Sequence, residues 1–341
     1  MRTLIVGIGA LGGIISARLI AAGDRVWMAT RTSEAAAKLM ASGLRVNGTA
    51  GALFVDTAEV RPLADYFSAD AFDLIVLATK ARDAIEAAPK LSEMLAPGGT
   101  LLPIQNGGVS QMLADQLGVE RVLGGLSNLG ATMAELGVYE QRNAGHLLIG
   151  ELSGGESQRA ESIRHCLGRA VDVKVTGNLR GAVWSKLILN CSVTTIGAVA
   201  GQTMREYVAL PDGRELFDRT YDEALSVAFA NGTRLEKMIV DPVPPTWVKA
   251  ESRSFPGEAY NDWRQQVLKG YGDIKPSMLQ DFERGRPTEI DFINGYVADL
   301  GRKLNVRTSA NAAIVDAVHA ISRGQTAPSP KLLGNILRAI G

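Results

Sequence analysis

The sequence predicts a chain in two parts, an α/β half built on a doubly wound parallel sheet and an all-α half that follows it. Three observations carry the prediction. Between residue 2 and about residue 175, short β-branched runs alternate with Ala- and Leu-rich stretches. After Thr176, Gly177 and Asn178 the strand signals fade and long helical patterns take over. The length, 341 residues, exceeds what one hydrophobic core usually serves. Domains are therefore expected at 1–177 and 178–341.

The candidate strands are 3–6, 25–29, 74–78, 101–104 and 121–126, each apolar and short enough to lie buried in a sheet. Helical stretches at 10–22, 33–41 and 81–95 separate them, the last stopped by Pro97, Gly98 and Gly99. The order is βαβαβ. Runs at 138–142 and 146–149, with Asn143, Ala144 and Gly145 between them, read as a hairpin appended to the sheet. In the second half the helical patterns are 181–200, 213–230, 275–282, 288–304 and 310–322. Pro242, Pro244, Pro245 and Pro256 mark 241–256 as a surface loop between helices.

Composition narrows the function. The 36 Lys and Arg balance 36 Asp and Glu, so the net charge is zero and no basic tract offers itself to nucleic acid or to an anionic membrane. The two cysteines, Cys166 and Cys191, stand far apart in no metal-ligand spacing, which fits a reducing cytoplasm and supports neither a disulfide framework nor a metal site. Residues 1–23 are apolar enough to pass for a signal peptide or a membrane span, but Gly7, Gly9, Gly12 and Gly13 interrupt the run, so it reads as part of the fold.

Those glycines carry chemistry. Gly7-Ile8-Gly9-Ala10-Leu11-Gly12 follows a strand directly and opens an Ala-rich helix, the context in which G-x-G-x-x-G binds a dinucleotide in a Rossmann domain. The first glycine permits the tight turn, the second lets backbone approach a pyrophosphate, and the third lets helix pack on strand. An acid at the end of the second strand would select NAD, whereas this strand runs into Thr30-Arg31-Thr32. Arg31 suits a 2′-phosphate and favours NADP, although it also reads as a solvated surface arginine.

Ligands of open α/β sheets bind beyond the carboxyl ends of the strands. Lys80 and Asn106 occupy such positions, and Asn106 before Gly107-Gly108 serves equally well as a turn residue. In the second half Lys186, Asn190 and Thr194 fall at i, i+4 and i+8 of one helix, among Leu187, Ile188, Leu189 and Val193. Such a lysine either snorkels to solvent or is buried, and burial would lower its pKa toward the range of a general acid. Glu289 and Asp291 sit where a helix is expected to start, so the helix dipole alone accounts for them; Ser277 after Pro276 likewise has an N-terminal role available.

Together the motifs GIGALG at 7–12, TKA at 79–81, QNG at 105–107, WSKLILNC at 184–191, SMLQD at 277–281 and TEIDFINGY at 288–296 resemble the ketopantoate reductase family over nearly the whole chain. The resemblance implies a Rossmann domain and a helical domain forming a cleft, and reduction of the 2-oxo acid 2-dehydropantoate to (R)-pantoate with NADPH. It implies that Lys186 donates a proton to the carbonyl oxygen and that Asn106 lies near both cofactor and substrate. Asn190 and Ser277 match substrate-binding positions. Glu289 matches a glutamate of the cofactor and active-site network. Lys80, Arg31 and, more weakly, Ala131 match cofactor contacts, alongside Gly7, Ile8, Gly9, Ala10, Leu11 and Gly12. No metal is implied. The expected partners are a small 2-oxo acid and, at most, a second copy of the chain in a homodimer.

Two departures matter. The family pattern places a second substrate-binding asparagine where this chain has Thr194, followed by Thr195. The segment before Ser277 is also longer than usual, around 241–261, and a loop there would suit an active-site lid. The Thr194 change favours a rival reading, a family member reducing another 2-oxo acid in the manner of the related D-mandelate dehydrogenases. A third reading, an NADPH sensor without turnover, would not need Lys186, Asn190 and Glu289 together.

Overall fold

Buried β-branched runs become strands of a parallel sheet where crossover helices cover both faces. The structure, a computed structural model, describes all residues except 50, 57–58, 68–69, 239 and 241–256; the proline-rich loop and its lid role lie outside the described residues. The chain divides into two compact units, Met1–Leu179 and Arg180–Gly341. The first holds a parallel sheet of β1 (Thr3–Val6), β2 (Val26–Thr30), β5 (Val60–Pro62), β6 (Phe72–Leu77) and β7 (Leu95–Pro103) in the order β5-β2-β1-β6-β7. The chain runs from β1 out to β2 on one side and later returns to β6 on the other. The carboxyl end of β1 is thus the point where the winding reverses, the place such sheets bind ligands. Helices α1 (Ala10–Ala21), α2 (Ser33–Ser42) and α3 (Ala81–Glu93) make the crossovers, and α4 (Val109–Leu117) and α5 (Gln158–Leu167) follow later in the unit.

The expected hairpin does not form. Strand β10 (Val138–Gln141) pairs with β9 (Ala131–Glu135) and with β3 (Leu44–Gly48), itself paired with β4 (Leu53–Val55), whereas β11 (Leu147–Gly150) joins β8 (Gly124–Ser127) and β12 (Val173–Val175) in another sheet. The turn residues are tied elsewhere: Asn143 Oδ1 accepts the amides of Gly130 at 2.7 Å and Gly145 at 3.1 Å. Tertiary partners outcompeted a local turn signal. The strand expected at 121–126 begins at Gly124, preceded by a single bridge from Val122 to Leu101.

The second unit is helical. Its longest elements are α6 (Leu179–Leu189), α9 (Pro211–Ala230), α10 (Gly257–Tyr271), α12 (Asn294–Lys303), α13 (Ser309–Ser322) and α14 (Lys331–Ile340). Shorter α7 (Thr195–Ala200), α8 (Met204–Val208) and α11 (Ser277–Glu283) lie between them. Two expected helices are revised. The pattern at 181–200 is broken by a π-helical turn, Asn190–Thr194. The pattern at 288–304 begins as a 3₁₀ turn, Ile290–Phe292, and becomes a helix only at Asn294, because Ile293 with φ −108° and ψ −96° interrupts it. The 22-residue stretch Leu179–Ala200 contains an 18-residue window of mean hydropathy 1.3, long and apolar enough to cross a membrane, but 78% of that window is buried inside the fold.

Candidate active site

The glycine loop in the first unit has the shape its spacing predicts. Gly7 sits at φ +93°, and a Cβ there would meet Thr79 Cγ2 at 2.6 Å, so a side chain is excluded twice over. A Cβ on Gly12 would lie 2.1 Å from the Gly7 carbonyl oxygen, which enforces close packing of α1 on the loop. Gly9, by contrast, has nothing within 4 Å of its would-be Cβ. It leads into α1 as the N-cap residue with no side-chain cap. A bare backbone opening beside an uncapped helix N-terminus is what a pyrophosphate requires, so the residues fit a dinucleotide. Sequence reasoning missed the support beneath this loop. Buried Tyr139 donates its hydroxyl to the Ile8 carbonyl at 3.0 Å, and its ring fills the space where a Cβ on Gly13 would stand.

The strand ends converge on the same edge. Gln105 Nε2 donates to the carbonyls of Leu77 and Thr79, both at 3.0 Å, which ties the end of β7 to the end of β6. Asn106 follows partly buried, in a bend before Gly107 at φ +79°. Lys80 is the exposed N-cap residue of α3. Ala131 opens β9 and pairs with Gln141. Arg31, just past β2, pairs with Asp83 Oδ2 at 2.5 Å; the guanidinium side chain is 78% exposed. Asp83, in the first turn of α3, was not anticipated.

In the second unit Lys186 is partly buried on α6. Burial among packed atoms pushes its ammonium from 10.5 down to about 8. The π turn then begins at Asn190, whose carbonyl accepts the Thr195 amide five residues on. Successive residues in an α-helix advance by about 100° and drift off a four-residue stripe. A wider π turn advances less per residue, so it keeps Thr194 closer to the line of Lys186 than a regular helix would. Thr194 Oγ1 donates to the Asn190 carbonyl at 2.9 Å. Its hydroxyl proton is thereby committed, leaving acceptor lone pairs.

Two further segments meet this helix. Asn294 Nδ2 donates to the Cys191 carbonyl at 3.2 Å, which fastens the segment that carries Glu289 to the π turn. Glu289 is partly buried and precedes the 3₁₀ turn, where its carbonyl accepts the Phe292 amide at 3.0 Å. Ser277 is the exposed first residue of α11, and a Cβ on Gly197 of α7 would meet its neighbour Pro276 at 2.8 Å. Asp291 pairs with His319 Nε2 at 2.8 Å, a partner the sequence did not single out. Asn294 had a signal: it stands in the apolar stripe of Ile290, Ile293 and Val297, where a polar residue is out of place. Among the described residues no cluster of His, Cys, Asp and Glu could hold a metal ion.

Comparison with known proteins bears on this arrangement. Residues 3–154 match the family model described as Ketopantoate reductase PanE/ApbA, and residues 178–322 match the one described as its C-terminal part. A 2-dehydropantoate 2-reductase of Archaeoglobus fulgidus is 27% identical over 325 residues, 95% of this chain and 98% of the relative. That of Halobacterium salinarum is 26% identical, over 95% of this chain and 99% of the relative. Among solved structures, a PanE/ApbA family ketopantoate reductase from Ralstonia eutropha JMP134 superposes with TM-score 0.76 at 25% identity, covering 95% of this chain and 99% of that one. A D-mandelate dehydrogenase solved with NADH and anilino(oxo)acetate superposes with TM-score 0.77 at 21% identity, over 95% and 99%, a likeness of fold.

Proposed function

The chain belongs to the ketopantoate reductase family, and on that premise we propose that it reduces 2-dehydropantoate to (R)-pantoate with NADPH. Lys186 carries the proposal: a lysine whose pKa burial brings down to about 8 is charged at neutral pH yet weak enough in its hold on the proton to act as general acid. When bound, the reduced dinucleotide supplies hydride to the carbonyl carbon. Gly7, Ile8, Gly9, Ala10, Leu11 and Gly12 cradle its pyrophosphate, with Arg31, Lys80 and Ala131 along its length. Lys186 holds a proton at Nζ and releases it to the carbonyl oxygen as negative charge develops there. Asn106 and Asn190 orient the 2-oxo acid by hydrogen bonds, Ser277 meets its polar end, and Glu289 orients the lysine or the dinucleotide. Free thiols at Cys166 and Cys191 suit a reducing, cytoplasmic setting.

One observation favours a second reading, another 2-oxo acid as substrate. Thr194 stands where the family pattern has an asparagine, and its hydroxyl donates back to Asn190 rather than outward. The test is the initial rate of NADPH oxidation with 2-dehydropantoate, pyruvate, 2-oxoisovalerate and benzoylformate, each repeated with Lys186→Ala. Turnover of 2-dehydropantoate that falls by about 10²- to 10⁴-fold in the variant supports the proposal. Turnover of another acid alone replaces the substrate, and a variant as active as the wild type removes Lys186 from the mechanism.

A further inference from the structure

Two asparagines, Asn294 and Asn311, are completely buried in the helical unit. Leaving a buried amide without partners costs about 1–3 kcal/mol, so what such groups bond to should explain why they are there. Asn294 Nδ2 donates to the Cys191 carbonyl at 3.2 Å and to Asn311 Oδ1 at 3.0 Å. Asn311 Nδ2 in turn donates to Glu223 Oε2 at 3.0 Å and to the Thr220 carbonyl at 3.2 Å. Glu223 is held by the backbone amides of Ala310 at 2.9 Å and Asn311 at 3.0 Å, at the start of α13. This relay begins on α9 and α13 and ends on one carbonyl of the π turn. A second support reaches the next carbonyl, where buried Tyr207 donates its hydroxyl to Ser192 O at 2.6 Å.

Both carbonyls lie inside the π turn, where Cys191 O also accepts the Thr195 hydroxyl. Inserting one residue into an α-helix breaks the regular i to i+4 ladder, and the carbonyls around the insertion need donors from outside. We infer that Asn294 and Tyr207 are positioning residues that hold the π turn in place, keeping Thr194 and the residues after it in register with Lys186 and Asn190. Without them the segment relaxes toward a regular helix, and residues after Asn190 rotate by up to about 100°, one residue's advance. The inference rests on the catalytic reading of Lys186 and Asn190 for its kinetic consequence, but not for its structural one.

The experiment compares wild type with Asn294→Ala and Tyr207→Phe. Tyr207→Phe keeps the ring in the core and deletes only the donor, so it carries the test if Asn294→Ala fails to fold. Three quantities are read: kcat and KM for the 2-oxo acid, Kd for NADPH, and the pH dependence of Lys186 acylation followed by peptide mass. Misplacement of a reacting group by about 1 Å costs roughly 10²-fold in rate. We expect kcat to fall about thirtyfold in Asn294→Ala and about tenfold in Tyr207→Phe, with Kd for NADPH within about twofold of wild type. The Lys186 inflection should move upward from about 8 as water reaches the ammonium. Folded variants with unchanged kcat and an unchanged Lys186 inflection overturn the inference. If wild type reduces no 2-oxo acid while the inflection still moves, positioning stands and the proposed reaction fails.

Discussion

The two units build their candidate functional residues from different materials. The first uses backbone: a glycine loop too crowded for side chains at Gly7 and Gly12, an open position at Gly9, and strand ends stitched by Gln105 to the Leu77 and Thr79 carbonyls. The second uses side chains on an apolar helix, with Lys186 partly buried and the following turn held by Asn294 and Tyr207 from distant parts of the chain. Backbone sites tolerate little substitution and are specified locally. Side-chain sites tolerate their own removal structurally and are specified at long range. The contrast predicts opposite consequences for stability and function when each is altered.

The largest effect should come from Lys186→Met, which keeps an unbranched chain one atom shorter and removes the charge. Reduction of the 2-oxo acid should fall about 10²- to 10⁴-fold, while the folded unit should become more stable. The sign follows from titration. An unfolded lysine titrates near 10.5 and the folded one near about 8, so below pH 8 both are charged and the cost of burying the ammonium is fully present. That cost, on the order of 1–3 kcal/mol allowing for the residue's partial exposure, disappears as pH rises from 8 to 10.5. Chemical denaturation at pH 7 should show Lys186→Met more stable than wild type, and the gap should close toward pH 10.5. In the same window wild-type reduction should decline above pH 8, as the general acid loses its proton. A variant that is both inactive and less stable would mean the lysine is a structural residue.

The first unit should behave in the reverse way, and Gly9→Ala separates the two roles of the loop. A Cβ at Gly9 meets nothing within 4 Å and its φ of −81° suits alanine, so melting temperature should hold or rise slightly. The same methyl stands where a pyrophosphate must approach, and dinucleotide affinity should drop by about 10²-fold. Gly12→Ala, with a contact at 2.1 Å from the Gly7 carbonyl, should lose stability as well as binding. Titrating NADPH by fluorescence and measuring thermal unfolding on both variants tests the pair. Equal affinity of Gly9→Ala and wild type would remove the loop from cofactor binding.

This difference in materials also decides what could be read in advance. The glycine loop was legible because each glycine answers a local requirement within six residues, and the alternation of strands and helices named the fold class. The stripe of Lys186, Asn190 and Thr194 was legible as a pattern, but the π turn that sets its true register was not. One of its supports lies over a hundred residues away at Asn294, and no helical periodicity encodes a bond of sequence separation 103. The failed hairpin has the same origin. Asn143-Ala144-Gly145 is sound turn chemistry, but β10 finds β3 and β9, and β11 finds β8 and β12. Tyr139 under the glycine loop was hidden likewise, since its contact with Ile8 spans 131 positions.

A smaller effect probes a side-chain choice within the backbone-built unit. Arg31, the residue expected to meet a 2′-phosphate, is paired with Asp83 at 2.5 Å. An exposed pair of this kind contributes about 0–1 kcal/mol, so holding Arg31 in place gains little. A carboxylate about 5 Å from a bound phosphate repels it by about 1–1.5 kcal/mol in a water-like dielectric. Repulsion wins on these magnitudes. Asp83→Asn should tighten NADPH by about five- to tenfold and leave NADH within about twofold. Weaker NADPH binding would make Asp83 a support for Arg31, and equal tightening of both dinucleotides would detach Arg31 from the 2′ position.

The smallest effect lies at Thr194, where the side-chain-built unit departs from the family pattern. The Thr194 hydroxyl donates to the Asn190 carbonyl at 2.9 Å, so toward a ligand it offers lone pairs and no proton. An asparagine there would present an amide donor from a longer side chain. One added neutral hydrogen bond is worth about 0.5–1.5 kcal/mol net, a factor of about 2–10 in relative kcat/KM. The gain should fall on 2-dehydropantoate, whose hydroxyl can accept that donor, and not on 2-oxoisovalerate, which lacks the hydroxyl. Thr194→Asn should therefore raise the ratio of kcat/KM for the two acids by about threefold. Withdrawing the threonine also frees the Asn190 carbonyl of one donor, but the Thr195 amide still satisfies it, so the π turn should persist and the Lys186 acylation inflection should stay near about 8. A ratio that falls, with that inflection unchanged, would mean that position 194 was tuned for an acid without the hydroxyl and that the chain's substrate lies elsewhere among the 2-oxo acids.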